Sequence, residues 1–186
     1  MYICLKSTMK KILAFAGSNS STSINHQLLE ALGKEVEVNF ELISLCDYGA
    51  PLFGVDLKNE QGVPESMQSL HEKMKSADGL IVSAAEHNGS MAAVLKNTFD
   101  WLSMLEKKFF LHKPTLFIST SPGPRGAASS LKHLVEIMPF RGAEIVGHKS
   151  VPSFYDTVVD GEIRGEIKDE LVALIRTLET TINQES

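Results

Sequence analysis

The candidate functional residues of this chain are mainly Ser, Thr, Asn and Gly, and they are concentrated in three short segments. Each segment follows an apolar run, and we refer to them as the first loop (residues 17–25), the second loop (residues 85–90) and the third loop (residues 121–126). Side chains of this kind donate hydrogen bonds to anions and to the polar edge of a flat ligand. The pattern therefore predicts a ligand-binding site, and we name no catalytic nucleophile, acid or base.

The first loop precedes a predicted helix over residues 23–36, and its sequence is Gly17-Ser18-Asn19-Ser20-Ser21-Thr22-Ser23-Ile24-Asn25. The unpaired N–H groups and the positive end of a helix attract anions, and the hydroxyls add further donors. The sequence has no Gly-Lys-Ser/Thr after the loop and no Gly-x-Gly-x-x-Gly fingerprint. The first loop thus indicates a monophosphate site, with an ordinary capped Ser/Thr turn as the alternative.

The second loop lies between an apolar run at residues 79–84 and a segment at residues 91–105 whose apolar residues have helical spacing. A strand, a sharp polar turn and a helix place a ligand site at the carboxyl end of a parallel sheet. The third loop follows another apolar run, and its glycines allow the backbone to approach a flat ligand. A plain Pro/Gly turn with an exposed Arg125 is the alternative for the third loop.

Alternating strand and helix patterns surround these loops. Apolar runs predict strands at residues 11–16, 38–45, 80–84, 115–120 and 143–146, the last extending as far as residue 151, with amphipathic helices between and after them. Residues 46–62 contain several glycines and indicate a wandering loop. Strands that alternate with helices favour a parallel sheet covered on both faces. We therefore predict a single α/β domain over residues 1–186, a doubly wound three-layer sandwich with a five-stranded parallel sheet, in which residues 1–10 are a candidate N-terminal extension.

Composition argues against several classes of function. The net charge is −5, and no Lys/Arg cluster marks a nucleic-acid partner. No apolar stretch approaches the roughly 20 residues of a membrane span, and the N-terminus lacks the pattern of a signal peptide. Neither the histidines nor the two cysteines, Cys4 and Cys46, show metal-ligand or redox spacing, so we expect no metal site and a cytoplasmic setting.

The second loop and the helix after it resemble the Pro-Glu-Tyr-Asn-Gly-Ser…Leu-Lys-Asn…Asp-Trp signature of the NAD(P)H-dependent FMN reductase family. The residues that carry the likeness are Glu86, Asn88-Gly89-Ser90, Leu95-Lys96-Asn97 and Asp100-Trp101. The first loop resembles the family's Gly-Ser-Leu-Arg-x-x-Ser-x-Asn, and the third loop resembles its Ser-Pro-Gly. Three positions depart from the family's pattern: Ser20 replaces an arginine that pairs with the flavin phosphate, Ala85 replaces the proline and His87 replaces the tyrosine.

The resemblance implies a flavodoxin-like fold, bound FMN, and NADPH or NADH as the reductant. It also implies that the first loop holds the FMN phosphate and that the second and third loops lie along the isoalloxazine ring. The candidate cofactor-binding residues are Ser18, Ser20, Ser23, Ile24, Asn25, Ala85, Glu86, His87, Asn88, Ser90, Ser121 and Gly123. With a serine at position 20, we expect neutral donors to hold the phosphate, as in the flavodoxins.

The activity implied by the resemblance is hydride transfer from the nicotinamide to FMN and on to a small-molecule acceptor. The acceptor would be a quinone, an azo compound, a metal oxyanion, oxygen or free flavin, and the cofactor carries the difficult chemistry. Two alternatives stay open. One is a flavodoxin-like FMN electron carrier without its own NAD(P)H reductase activity, and the other is a module that has lost its flavin.

The helix at residues 91–105 carries apolar residues on more than one face, which predicts a homodimer or a homotetramer. We assign Trp101, Met104 and Leu105 to the partner surface. The resemblance also implies that this helix forms the dimer interface. The alternative is that they pack beneath the residue 46–62 connection of the same chain.

Overall fold

The computed structural model describes residues 10–184. Its central parallel sheet contains β1 (Lys11–Ala16), β2 (Asn39–Ile43), β3 (Gly79–Ala84), β6 (Pro114–Thr120) and β7 (Glu144–Val151). The strands lie in the order β2-β1-β3-β6-β7, so the direction of winding reverses between β1 and β3. This order confirms the predicted flavodoxin-like, doubly wound sheet. The candidate extension at residues 1–10 lies, apart from Lys10, outside the described residues.

Helices cover both faces of the sheet. One face packs against α1 (Ile24–Gly33) and α7 (Glu166–Gln184), and the other packs against α3 (Glu65–Ser76), α4 (Ala93–Leu105) and α5 (Ala128–Ile137). Side chains alternate across a strand, so Ile12 packs with the first group and Leu13 with the second. Both are fully buried, which explains why β1 is apolar at successive positions after Lys11.

The connections contain more regular structure than their sequences predict. Residues 46–62 include most of a 3-10 turn, Leu45–Tyr48, and the helix α2 (Val55–Gln61). None of the residues of α2 is buried, so its sequence does not need the apolar stripe by which a helix is recognised. The second loop contains a hairpin of β4 (Glu86–His87) and β5 (Ser90–Met91). A short helix, α6 (Phe154–Thr157), and a hairpin of β8 (Val158–Val159) and β9 (Glu162–Ile163) separate β7 from α7. Within residues 10–184, no helix is long and apolar enough to cross a bilayer.

Candidate functional site

A cavity of about 230 Å³ lies at the carboxyl ends of β1, β3 and β6, where the three loops meet. Its lining residues are Ser18, Ser20, Thr22, Ser23, Ile24, Asn25, Ala85, Glu86, His87, Thr120, Ser121 and Pro122. The loops converge because β1, β3 and β6 are adjacent and parallel, so their carboxyl ends share one edge of the sheet. All the predicted binding residues line this cavity except Asn88, Ser90 and Gly123.

Those three residues have other positions in the loops. Asn88 and Gly89 form the two-residue turn between β4 and β5, with φ angles of 52° and 77°. Both angles are positive, as a type I′ hairpin turn requires. Ser90 pairs with His87 in the hairpin, and the carbonyl oxygen of Gly123 accepts the backbone N–H of Ser153.

Thr22, Thr120 and Pro122 line the cavity although they are not among the predicted binding residues. Thr22 belongs to the hydroxyl-rich first loop, and Thr120 is the last residue of the apolar run before the third loop. Their positions beside predicted residues are the signal that could have identified them.

The hydroxyls of the first loop bond to nearby residues. The Ser23 hydroxyl accepts the backbone N–H of His26 at 3.3 Å and so caps α1. The Ser20 hydroxyl accepts the N–H of Thr22 at 3.3 Å. Ser23 satisfies the third N–H of the helix, and the first two, from Ile24 and Asn25, are the ones that an α-helix leaves without an intrahelical partner. The first turn of α1 therefore presents backbone donors at the cavity.

Asn25 binds two distant strands through its side chain. Its buried side-chain oxygen accepts the Ser83 hydroxyl at 2.8 Å and the Thr120 backbone N–H at 3.1 Å. Its amide nitrogen donates to the Thr120 carbonyl at 3.2 Å. The side chain thus joins α1 to the ends of β3 and β6, and only the backbone N–H of Asn25 is directed to a ligand by helix geometry.

The second loop is held by α5 across a large sequence separation. Glu86 Oε2 accepts the backbone N–H groups of Ser129 at 2.9 Å and Ser130 at 3.0 Å. The buried Ser130 hydroxyl donates to the carbonyl of Ala85 at 3.0 Å. The Glu86 carboxylate lines the cavity, but one of its oxygens is already occupied by the helix.

The third loop is held by β6 and β7. The carbonyl of Gly126 accepts the hydroxyls of Ser119 at 2.6 Å and Ser150 at 2.8 Å. Gly126 has a φ of +56°, and a Cβ atom there would lie 2.5 Å from Ser150 Oγ. Glycine is therefore required at position 126 both by the left-handed backbone and by the close approach of β7. Arg125 is exposed and donates to Ser129 Oγ, which agrees with its interpretation as a surface residue.

The structure corrects the prediction for Trp101. This side chain is fully buried, donates through Nε1 to the carbonyl of Pro51 at 2.8 Å, and packs edge-on against Phe53. Asn97, one turn earlier on α4, accepts the N–H of Phe53 at 2.7 Å. Trp101 therefore holds the residue 46–62 connection within one chain, because that connection folds back over α4, whereas Met104 and Leu105 are exposed.

His71, on α3, is a buried titratable group near the C-terminal end of α4. Its Nε2 has no hydrogen-bond partner among the described residues and lies 3.6 Å from Glu106 Oε2. Burial lowers the pKa of His71, Lys75 lowers it further, and Glu106 and Glu72 oppose the shift. The neutral imidazole is therefore favoured in the folded protein.

The electrostatics of the cavity come from dipoles more than from charges. No lysine or arginine is among its lining residues, and the one carboxylate, that of Glu86, already binds the N–H groups of α5. The hydroxyls and the first turn of α1 can surround a small anion, with two polar loops beside it. Within residues 10–184, no group of three or more His, Cys, Asp and Glu side chains has the arrangement of a metal site.

Comparisons with known proteins agree on one family. A family model described as NADPH-dependent FMN reductase matches residues 10–156. The chain is 29% identical over 164 residues to the quinone reductase of Escherichia coli (strain K12), which covers 86% of each chain. It is 30% identical over 174 residues to an NAD(P)H-dependent FMN reductase of Pseudomonas aeruginosa, which covers 88% of this chain and 92% of the relative.

A third curated relative is the 2-hydroxy-1,4-benzoquinone reductase of a Burkholderia species, 34% identical over 125 residues and covering 67% of each chain. Among solved structures, FerB from Paracoccus denitrificans, described as a flavoenzyme NAD(P)H:(acceptor) oxidoreductase, superposes with a TM-score of 0.76. The match covers 94% of this chain and 98% of FerB at 24% identity, and it shows that the two proteins share a fold.

Proposed function

Because the chain belongs to the NADPH-dependent FMN reductase family, we propose that it is an NAD(P)H:quinone-type oxidoreductase with FMN as its cofactor. Membership of the family makes it an oxidoreductase that uses FMN and NAD(P)H. The finer part of the proposal concerns the acceptor and the residues that bind the cofactor.

The observation that supports the cofactor site is the open first turn of α1 at the cavity. Ile24 and Asn25 would donate their backbone N–H groups to a phosphate, and Ser18, Ser20 and Thr22 would add hydroxyl donors. A single phosphate suits this arrangement, because the loop lacks the glycine fingerprint of a pyrophosphate site. The donor set therefore fits FMN better than FAD.

The second and third loops would contact the rest of the cofactor. Ala85, Glu86 and His87 line the cavity from one side, and Ser121 and Pro122 line it from another. Bound FMN supplies the hydride chemistry, accepting two electrons from NAD(P)H and delivering them to the acceptor. The protein orients the cofactor and surrounds its phosphate with neutral donors, and no side chain has to act as a nucleophile.

A quinone is the acceptor that we favour. Two of the curated relatives are named as quinone or benzoquinone reductases, and both align over two thirds or more of this chain. Azo compounds, metal oxyanions, oxygen and free flavin are the other acceptors to be compared. The flavodoxin-like electron carrier is the alternative function.

The test begins with the absorbance spectrum of the purified protein. Cofactor released by heat should co-migrate with FMN on chromatography, and recovery of FAD as the main species would contradict the proposed phosphate site. Anaerobic titration with NADPH and with NADH should bleach the flavin, and steady oxidation of the reductant should follow addition of a quinone. A flavoprotein that is not reduced by either nicotinamide would support the electron carrier instead.

We also propose that the protein forms a homodimer or, by association of two dimers, a homotetramer. Leu52, at 81% exposure, and Val55 lie on the connection that α4 holds, and Met104 and Leu105 are exposed on α4 itself. Exposed apolar side chains on two segments that pack together are a feature that a partner subunit could cover.

Met104→Asp is the variant of choice for this test, since Trp101 is buried and its replacement would damage the fold. It should shift the mass measured by light scattering towards that of one 20.4 kDa chain. Tyr155→Asp, a change at an exposed aromatic residue on α6, is the control and should leave the mass unchanged. A wild-type particle of one chain at micromolar concentration would refute the proposed dimer.

Two further predictions from the sequence are kept as proposals. We place the enzyme in the cytoplasm, where an exposed thiol such as that of Cys46 stays reduced. We also treat the chain as a single domain. Fractionation of the source cells and limited proteolysis of the purified protein are the respective tests.

A further inference from the structure

Helix α5 begins without a cap of its own. The residue before the helix, Ala127, has a left-handed backbone with a φ of 61° and makes no side-chain cap bond. Alanine is a poor residue at this position because it offers no oxygen to the N–H groups of the first turn. The backbone N–H groups of Ser129 and Ser130, the second and third residues of the helix, are the ones that a local cap would normally bind.

Glu86 supplies the missing acceptor from another part of the chain. Its Oε2 accepts both N–H groups, and the Ser130 hydroxyl donates back to the carbonyl of Ala85. The bonds join residues 43 to 45 positions apart in the sequence. Two successive residues of the second loop are therefore held on the first turn of α5, and the two bonds to the carboxylate are charge-assisted.

The two helices that begin near the cavity differ in this respect. The first turn of α1 opens into the cavity, whereas the first turn of α5 is occupied by the Glu86 carboxylate. A free carboxylate in a cavity that binds an anion would repel the ligand. Its contact with α5 offsets this repulsion, because the positive end of the helix dipole stabilises the negative charge.

We propose that Glu86 is a positioning residue for the flavin ring. By capping α5, its carboxylate fixes the second loop at the cavity. This inference rests on the proposed function, since the ring is that of FMN. It assigns to Glu86 a role distinct from that of the first loop. Glu86 determines where the ring-side loop lies, and the donors of α1 bind the phosphate.

The distinction can be measured by comparing FMN with riboflavin, which lacks the phosphate. In fluorescence titrations of the apoprotein, Glu86→Ala should weaken the binding of both flavins by about tenfold, so the ratio of their affinities should stay constant. Glu86→Gln should have a smaller effect, because its amide oxygen still accepts one or both N–H groups. Glu136→Gln changes an exposed carboxylate on the same helix and is the matched control, with wild-type affinities expected.

Hydrogen exchange of the apoprotein gives a second readout that needs no flavin. The backbone amides of Ser129 and Ser130 should exchange faster in Glu86→Ala than in the wild type and in Glu136→Gln. Faster exchange with unchanged affinity for both flavins would overturn the inference, since the cap would then serve the helix alone. A loss confined to FMN would also overturn it, because Glu86 would then act at the phosphate.

The proposed function fails in a different way. A wild-type protein that binds neither flavin would refute the cofactor assignment and the positioning role together. A wild-type protein that binds both flavins, combined with a Glu86→Ala variant that binds them equally well, would refute the positioning role alone. If Glu86→Ala does not fold, Glu86→Gln is the test. A loss of affinity for both flavins that is smaller than about tenfold would support the positioning role, and wild-type affinities would refute it.

Discussion

The first loop and the other two loops line the same cavity but are held in different ways. In the first loop, the hydroxyls of Ser20 and Ser23 bond to residues two or three positions away, and Ser20 is exposed. The side chain of Asn25 is the exception, with bonds to two distant strands. In the second and third loops, the bonds from α5 and β7 span 24 to 45 residues, and Ser119 of β6 adds a shorter-range bond to Gly126. Local bonds leave the conformation of a loop independent of the rest of the fold, whereas long-range bonds tie it to tertiary packing.

One site can therefore combine an adaptable part with a fixed part. Substitutions of the exposed hydroxyl residues in the first loop should change phosphate affinity with little change in the free energy of unfolding. Substitutions at the supports of the other loops should lower both stability and flavin affinity.

The largest effect on stability is expected from Gly126→Ala in the third loop. The new Cβ would lie 2.5 Å from Ser150 Oγ and 2.7 Å from the backbone of Val151, at a φ of +56°. Strain and overpacking together should lower the free energy of unfolding by about 4 kcal/mol in urea titrations. Gly165→Ala is the control, because its φ is +77° but no atom lies within 4 Å of the added Cβ. That change should lower the free energy of unfolding by about 1 kcal/mol. Equal losses for the two variants would show that β7 moves away from the third loop and relieves the close contact.

Asn25→Ala tests the residue that departs from the pattern of the first loop. Its side chain binds Ser83 and Thr120 from a buried position, so its loss would leave buried donors and an acceptor without partners. We expect the free energy of unfolding to fall by about 3 kcal/mol. Asn59→Ala, at an exposed position on α2, is the control and should stay within about 0.5 kcal/mol of the wild type. A loss as small as that of the control would mean that Asn25 is no more important to the fold than its neighbours.

Ser20→Arg tests the adaptable part of the site. Ser20 lines the cavity, and an arginine there would add a charge-assisted contact to the phosphate. The dissociation constant of FMN should fall by about tenfold in titrations of the apoprotein, with that of riboflavin and the unfolding free energy nearly unchanged. Ser21→Arg places the same charge on the same loop at an exposed position that does not line the cavity. An equal gain in that control would indicate a general charge effect and no direct contact.

The smallest effect is expected from acidification, through a group outside all three loops. Burial holds the pKa of His71 below its unfolded value, which is about 6.5, so the folded state takes up its proton less readily than the unfolded chain. The stability that this group contributes is fully present above the unfolded pKa and is lost as the pH falls through the folded one. His71→Gln should reduce the slope of unfolding free energy against pH below 6.5, whereas His133→Gln, at an exposed site, should not. At any one pH, the ratio of FMN to riboflavin affinity should be the same in His71→Gln and in the wild type, and a difference between the two would show that position 71 affects the phosphate site.

Much of the fold could be predicted because the strands are buried on both faces. Residues 80–84 and 115–120 are short runs without charged residues that are buried on both faces, and their carboxyl ends had to meet at one edge of a parallel sheet. That rule brings the three loops together before any contact is known. The hairpin turn at Asn88-Gly89 was also within reach of sequence analysis, since an Asn-Gly pair is the strongest short-range signal of a type I′ turn.

The supports of the site could not be predicted from local patterns. A carboxylate at position 86 gives no indication that its partners are backbone N–H groups at positions 129 and 130, because backbone donors have no sequence signature. Trp101 was misassigned for a similar reason. Its indole N–H binds the carbonyl of Pro51, and the glycines around that segment indicated a wandering loop, which gives no sign of such a contact.

The contact of Gly126 with β7 has a consequence for synthesis of the protein. A nascent chain is completed from its N-terminus, and domains fold as their segments become available. The bonds of Ser20 and Ser23 can form as soon as the start of α1 has been made, whereas the bonds of the third loop to β7 require that Ser150 has left the ribosome. We therefore expect the local bonds of the first loop to form early in translation and cofactor loading to follow only after the last strand of the sheet has been added.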